Sequence, residues 1–222
     1  MTHSFEKDYW ELHWQQADGG PASGNGAQAN PHLVRETADL TPGSALDAGC
    51  GAGADALWLA GHGWQVTGAD ISATALRQAT ERAADAAITD RVTWVEADLT
   101  TWEPGGLFDL VATSYAHPAI PQLDFYRRIA GWVAPGGTLL IVGHLHGGAA
   151  DGHGHGHGDF HEHGRGQSEE PPVEATVTAA GITALLDPLV WHIHTAEAQS
   201  RTPPGRGGPP LHDVIVRASR LG

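Results

Sequence analysis

Gly49, Gly51 and Gly53 alternate through the stretch LDAGCGAGADALWLA, Leu46 to Ala60, just behind the acid Asp47. Glycine reaches positive φ and lets a ligand approach the backbone closely. A short apolar strand, a glycine turn and a helix N-terminus together make a site for a nucleotide-like cofactor. GCGAGA also satisfies the looser dinucleotide fingerprint G-x-G-x-x-A, with Asp70 about 20 residues further on as a ribose acid. From these residues an NAD(P)-dependent reductase is one reading. Asp47 favours another, because a carboxylate inside the turn repels a diphosphate and attracts a cationic sulfonium ligand. Asp98, in WVEADLTTW, is an acid able to accept a hydrogen bond from an adenine amino group.

The flanking pattern supplies the frame. SALDAG, WQVTGAD, RVTWVEAD, FDLVATSY and GGTLLIVGH read as strands. GADALWLAGHG, ATALRQATERAADAA (capped by Ser72) and LDFYRRIAGWV read as helices. Strands separated by helices imply a parallel sheet covered on both faces. After a further helix, VTAAGITALLD, the segments LVWHIHTAEA and LHDVIVRAS form an antiparallel hairpin at one edge. Upstream, SFEKDYWELHW is a helix capped by Ser4, with Phe5, Tyr9 and Trp10 near one face and Trp14 a turn further. The stretch Asp18–Asn30, DGGPASGNGAQAN, reads as a loop, and PHLVRETADL as a second helix opened by Pro31. Residues 1–40 thus form an N-terminal helical region suited to a lid.

Composition narrows the partners. The 222 residues carry 41% hydrophobic side chains, enough for one substantial domain. A formal charge of −14, with only 12 Lys and Arg, disfavours nucleic acid as a partner and leaves a small-molecule substrate. The single cysteine, Cys50, excludes an internal disulfide framework and fits a reducing, cytoplasmic setting. The N-terminus lacks a signal-peptide core, and apolar runs such as TLLIVG are too short to span a bilayer, so no membrane partner is expected. The oligomeric state is not legible in these residues.

Taken in order and at their spacing, LDAGCGAG, VTGADIS, VEADLTTW, FDLVATSYAH and APGGTLLIVGH resemble the class I S-adenosylmethionine-dependent methyltransferases. WLAGHGWQVTGADIS with YWELHW is similar to their small-molecule branch, which includes the tellurite-resistance and thiopurine methyltransferases. The resemblance implies an α/β fold: a Rossmann-like, doubly wound seven-stranded sheet, mostly parallel with a C-terminal antiparallel hairpin, forming a single methyltransferase domain over 1–222. It implies S-adenosylmethionine as cofactor. Asp47, Gly49, Gly51 and Gly53 would line its methionine half, Asp70 its ribose and Ile71 the adenine face. Asp98 and the backbone N–H of Leu99 would meet the adenine edge, and Ser114 would sit near the reacting methyl. Tyr115 would orient an acceptor and His117, with an ordinary pKa of ~6.5, would serve as a base for a hydroxyl or amine. A thiolate, selenolate or metalloid anion needs no base. The DNA-modifying branches carry an acid or Asn, two prolines and an aromatic after the fourth strand; SYAHPA departs from that pattern.

Residues 144–172 belong to neither periodicity and read as a flexible His/Gly-rich insertion. His153, His155, His157, His161 and His163 offer imidazoles at close spacing for a divalent transition metal. A second function class therefore stays open: a metal-handling or sensor protein built on a methyltransferase frame. Glycines between the ligands leave such a site poorly preorganised. Deleting Asp151 to Gly164 is expected to leave the thermal unfolding midpoint and cofactor affinity unchanged; a collapse of the midpoint without metal contradicts the insertion reading.

Overall fold

The computed structural model describes residues 5–16, 28–145, 175–201 and 211–222. Its elements are α1 (Lys7–Gln16), α2 (Pro31–Thr37), β1 (Ser44–Ala48), α3 (Ala54–Gly61), β2 (Gln65–Asp70), α4 (Ala73–Asp85), β3 (Val92–Glu96), β4 (Phe108–Ser114), α5 (Gln122–Ala130), β5 (Val133–Leu145), β6 (Thr176–Val177), α6 (Ala179–Thr183), β7 (Trp191–Arg201) and β8 (Leu211–Arg220). The proposed Ser4 cap, most of the Asp18–Asn30 loop and the five insertion histidines lie outside the described residues.

Local chemistry sets several boundaries. Pro31 opens α2, where Asn30 Oδ1 accepts the His32 N–H at 2.9 Å. Ser72 Oγ accepts the Ala75 N–H at 3.2 Å at the start of α4. Thr178 Oγ1 does the same for Gly181 at the start of α6, at 3.0 Å.

The sheet runs β3-β2-β1-β4-β5-β8-β7, with β6 beside β5. The first five strands pair in parallel, while β5–β8 and β7–β8 are antiparallel, as the sequence implies. The strand missed by the sequence pattern is β6. Thr176 and Val177 pair with His144 and Leu145, and α6 is five residues long, far short of the helix expected from Val177 to Asp187. The β-branched pair extends a sheet edge that the long β5 makes available, a tertiary circumstance with no local signature.

Alternation along the central strands divides the core into two layers. Leu110 and Ala112 of β4 and Leu140 and Val142 of β5 face Leu33 of α2 and Leu59 of α3. Val111, Leu139 and Ile141 face Phe125, Tyr126 and Ile129 of α5. Strand order reverses between β1 and β4, so their carboxyl ends open a crevice, which is where ligands bind in doubly wound sheets. Ser72 is fully buried at the helix start that borders this crevice. Ser72→Ala is expected to lower unfolding stability by about 1 kcal/mol in urea denaturation; an unchanged midpoint shows that the cap contributes nothing.

Candidate active site

The turn between β1 and α3 is left-handed at three glycines, with φ of 82° at Gly49, 51° at Gly51 and 78° at Gly53. Side chains there would collide with their surroundings. A Cβ on Gly49 would lie 2.3 Å from Ala116 Cβ in the loop after β4, and one on Gly51 would lie 2.6 Å from the Trp14 ring of α1. The turn is tied to β2, because the N–H groups of Gly49 and Cys50 both donate to Ala69 O, at 2.8 and 3.1 Å.

Three acids stand around this turn. Asp47, ending β1, is 2% exposed and accepts from Ala56 N at 3.1 Å. Asp70, ending β2, accepts from Gly51 N at 2.8 Å and Ser72 N at 2.9 Å. Asp55, in the first turn of α3, accepts from Asn30 N at 2.6 Å and from the Ser114 hydroxyl at 2.7 Å. None of the three joins an ion pair among the described residues. Burial pushes Asp47 well above the usual carboxylate range, and the charges of Asp55 and Asp70 push it further. Burial likewise raises Asp55 and Asp70 against the hydrogen bonds that favour their ionised forms. The same burial, with Asp47 and Asp70 nearby, keeps Cys50 a thiol. Buried anions without a counter-charge are costly, and a cation docking on this turn relieves the cost. The buried acids and the close backbone therefore fit a positively charged ligand.

The crevice gathers Asp47, Gly49, Gly51, Gly53, Asp70, half-buried Ile71 and Ser114 at the ends of β1, β2 and β4. Asp98 and Leu99 follow β3, one strand further out. Asp98 is exposed and folds its Oδ1 onto Thr100, accepting from N at 2.9 Å and Oγ1 at 2.7 Å. Leu99 is buried, and its carbonyl accepts from Arg128 Nε at 2.9 Å.

Beyond Ser114, Tyr115 adopts φ of 56° and stacks on His144, with ring centroids 4.7 Å apart. His144 stacks in turn on His117 at 5.3 Å, and Phe5 and Trp10 flank His117 at 5.7 and 6.5 Å. His117 Nδ1 lies 3.3 Å from Gln122 Oε1. Burial, with His144 adding to it, pushes His117 down to about 4, so its imidazole is uncharged at neutral pH and a weaker base than its ordinary value implies. Sequence reasoning missed His144 and Asp55. An acid in a first helical turn complements the helix dipole anywhere, so Asp55 carried no distinguishing signal.

Helix α1 lies across the crevice. Glu11 accepts from Ala73 N at 2.6 Å and Thr74 N at 3.3 Å, Trp10 Nε1 donates to His117 O at 3.2 Å, and Lys7 pairs with Glu96 at the end of β3. Among the described residues no group of three or more His, Cys, Asp or Glu is placed to hold a metal, and no helix is long and apolar enough to cross a membrane.

Asp47→Asn keeps an oxygen for Ala56 N and removes the buried charge. At pH 7 the ligand-free variant is expected to melt above the parent. The folded-state pKa is raised, so the parent loses stability as pH climbs from the unfolded value towards the folded one, and the variant's advantage vanishes below about pH 4. A variant that melts at or below the parent at pH 7 contradicts the uncompensated charge.

Residues 45–137 match a family described as a methyltransferase domain, a span that contains the glycine turn, Asp55, Asp70, Asp98 and Ser114. The ribosomal RNA small subunit methyltransferase C of Alcanivorax borkumensis is 36% identical over 106 residues, 46% of this chain and 32% of that protein. A probable thiol methyltransferase 2 of Arabidopsis thaliana is 32% identical over 135 residues, 59% of each. The chain thus spans between a third and three fifths of the length of these curated relatives. A structure solved in work on the conversion of a disulfide bond into a thioacetal group during echinomycin biosynthesis shares the fold, with a TM-score of 0.66 at 24% identity over 97% of this chain and 92% of that one. Residues 45–137 thus match a methyltransferase-domain family, and the strand order β3-β2-β1-β4-β5-β8-β7 is that of the class I S-adenosylmethionine-dependent methyltransferase fold.

Proposed function

We propose that this chain transfers a methyl group from S-adenosylmethionine to a small soft nucleophile, a thiol or metalloid. The observation that carries this reading is the cluster of three buried acids around a glycine turn, without an ion-pair partner among the described residues. The thiol methyltransferase relative supports a sulfur acceptor. The formal charge of −14 works against a nucleic-acid acceptor, although one relative is an RNA methyltransferase. A reducing, cytoplasmic setting suits both Cys50 and a thiol substrate.

When bound, the donor supplies a methyl group on a positively charged sulfur, already activated for in-line displacement. Asp47 and the turn glycines hold its methionine half, Asp70 its ribose hydroxyls, and Ile71 with Asp98 and Leu99 the adenine. Asp70 reaches this task preorganised, because Gly51 and Ser72 already fix both of its oxygens. Tyr115 and neutral His117 face the acceptor, and α1 closes the crevice as a lid that excludes water, so that contact between nucleophile and methyl does most of the catalytic work. An uncharged His117 suits an acceptor that arrives as a thiolate, which needs no basic assistance.

Calorimetry is expected to show S-adenosylmethionine and S-adenosylhomocysteine binding and no binding of NADH. Asp70→Ala should weaken both adenosyl ligands more than tenfold, the loss of a charged hydrogen-bond acceptor worth about 1.5–3 kcal/mol. NADH binding without S-adenosylhomocysteine binding returns the chain to the reductase reading. Unchanged affinity in Asp70→Ala removes the ribose role.

A further inference from the structure

Asp55 and Ser114 form a pair that donor binding leaves unused. The Ser114 hydroxyl donates to Asp55 Oδ2 at 2.7 Å, and Asn30 N–H donates to Oδ1 at 2.6 Å. Asp55 is 7% exposed, whereas Ser114 is half-buried at the end of β4, so the pair runs from a dry interior to the crevice. From the neighbouring elements Asp55 meets Asp47 of β1, the Ser114 hydroxyl of β4 and the N–H of Asn30, whose side chain caps α2. Asp70 of β2 acts on Asp47, and Glu11 of α1 acts on Asp70.

Methylation of a protonated thiol must place one proton. The acceptor's lone pair forms the new bond to carbon, the electrons of the old carbon–sulfur bond stay on the donor sulfur, and that sulfur becomes neutral. The acceptor loses its proton in the same event. His117, held at about 4, retains a proton poorly at neutral pH.

We propose that Ser114 Oγ takes the acceptor's proton while passing its own to Asp55 Oδ2, so that a proton on Asp55 replaces the lost sulfonium charge among the buried acids. Ser114 is the group that meets the acceptor, and Asp55 is a positioning residue acting through it. The proposal rests on the methyltransferase reading above. The burial that raises the proton affinity of Asp55 acts in the required direction. Run in reverse, arrival of the positively charged donor drives a proton off the acids.

Calorimetry in two buffers of different ionisation heat counts that proton. Between about pH 5 and 8 the parent is expected to release more protons on binding S-adenosylmethionine than on binding S-adenosylhomocysteine, by roughly half a proton at the maximum. Asp55→Asn, whose amide keeps partners for both Asn30 N–H and Ser114, is expected to remove most of that difference. Ser114→Ala should slow turnover of 2-mercaptoethanol, protonated at pH 7, about 100-fold, and that of 4-nitrothiophenol, ionised at that pH, less than about threefold, since no proton then needs a destination. Equal proton counts for the two ligands in the parent, or equal slowing of the two thiols, overturns the proposal. Failure of the parent to bind S-adenosylmethionine at all removes instead the methyltransferase reading beneath it.

Discussion

Three carboxyl groups held out of water around one backbone turn, where burial disfavours their ionised forms, are the constraint on which the site depends. Asp47, Asp55 and Asp70 are each less than a tenth exposed, and their partners are N–H groups and one hydroxyl. Such an arrangement destabilises a chain that has no ligand to neutralise it. It persists because the turn is over-determined: Ala69 O holds Gly49 and Cys50, Asp70 holds Gly51, and the left-handed glycines admit no side chain between the turn and its neighbours. The cost of burying these acids is the complement of a cation's binding energy.

The rest of the crevice is assembled from the same centre. Asp55 reaches Asn30, which opens α2, and Ser114, which closes β4, so one carboxylate joins the N-terminal region to the acceptor side. Glu11 of α1 docks on the first turn of α4, next to the Asp70–Ser72 bond. Trp14 covers Gly51, and Trp10 covers the His117 loop. Helix α1 therefore packs on the glycine turn and on the imidazole loop together.

Most of the frame was legible because its signals are local. The alternation of β4 and β5 states which residues face which layer, and Ser72 and Pro31 announce their helices within a few residues. The glycine turn was legible for the same reason: glycines and acids crowd a single short stretch. What escaped was decided at long range. Thr176 and Val177 become a strand only because β5 extends to Leu145 beside them. The neutrality of His117 depends on burial among Phe5, Trp10 and His144, which converge from two distant parts of the chain. Asp55 looks like any first-turn acid until β4 brings Ser114 against it. The surroundings of Ser114, Tyr115 and His117, built from such convergence, are where sequence pattern says least.

The central claim is that the buried acids recognise positive charge at sulfur. Its most direct test compares the loss of affinity for S-adenosylmethionine and for S-adenosylhomocysteine when Asp47 becomes Asn, since the two ligands differ in the charged methylsulfonium. The account predicts that the charged ligand loses several times more affinity than the neutral one. Equal losses would mean that the acids shape the turn without reading the ligand's charge, and would contradict it.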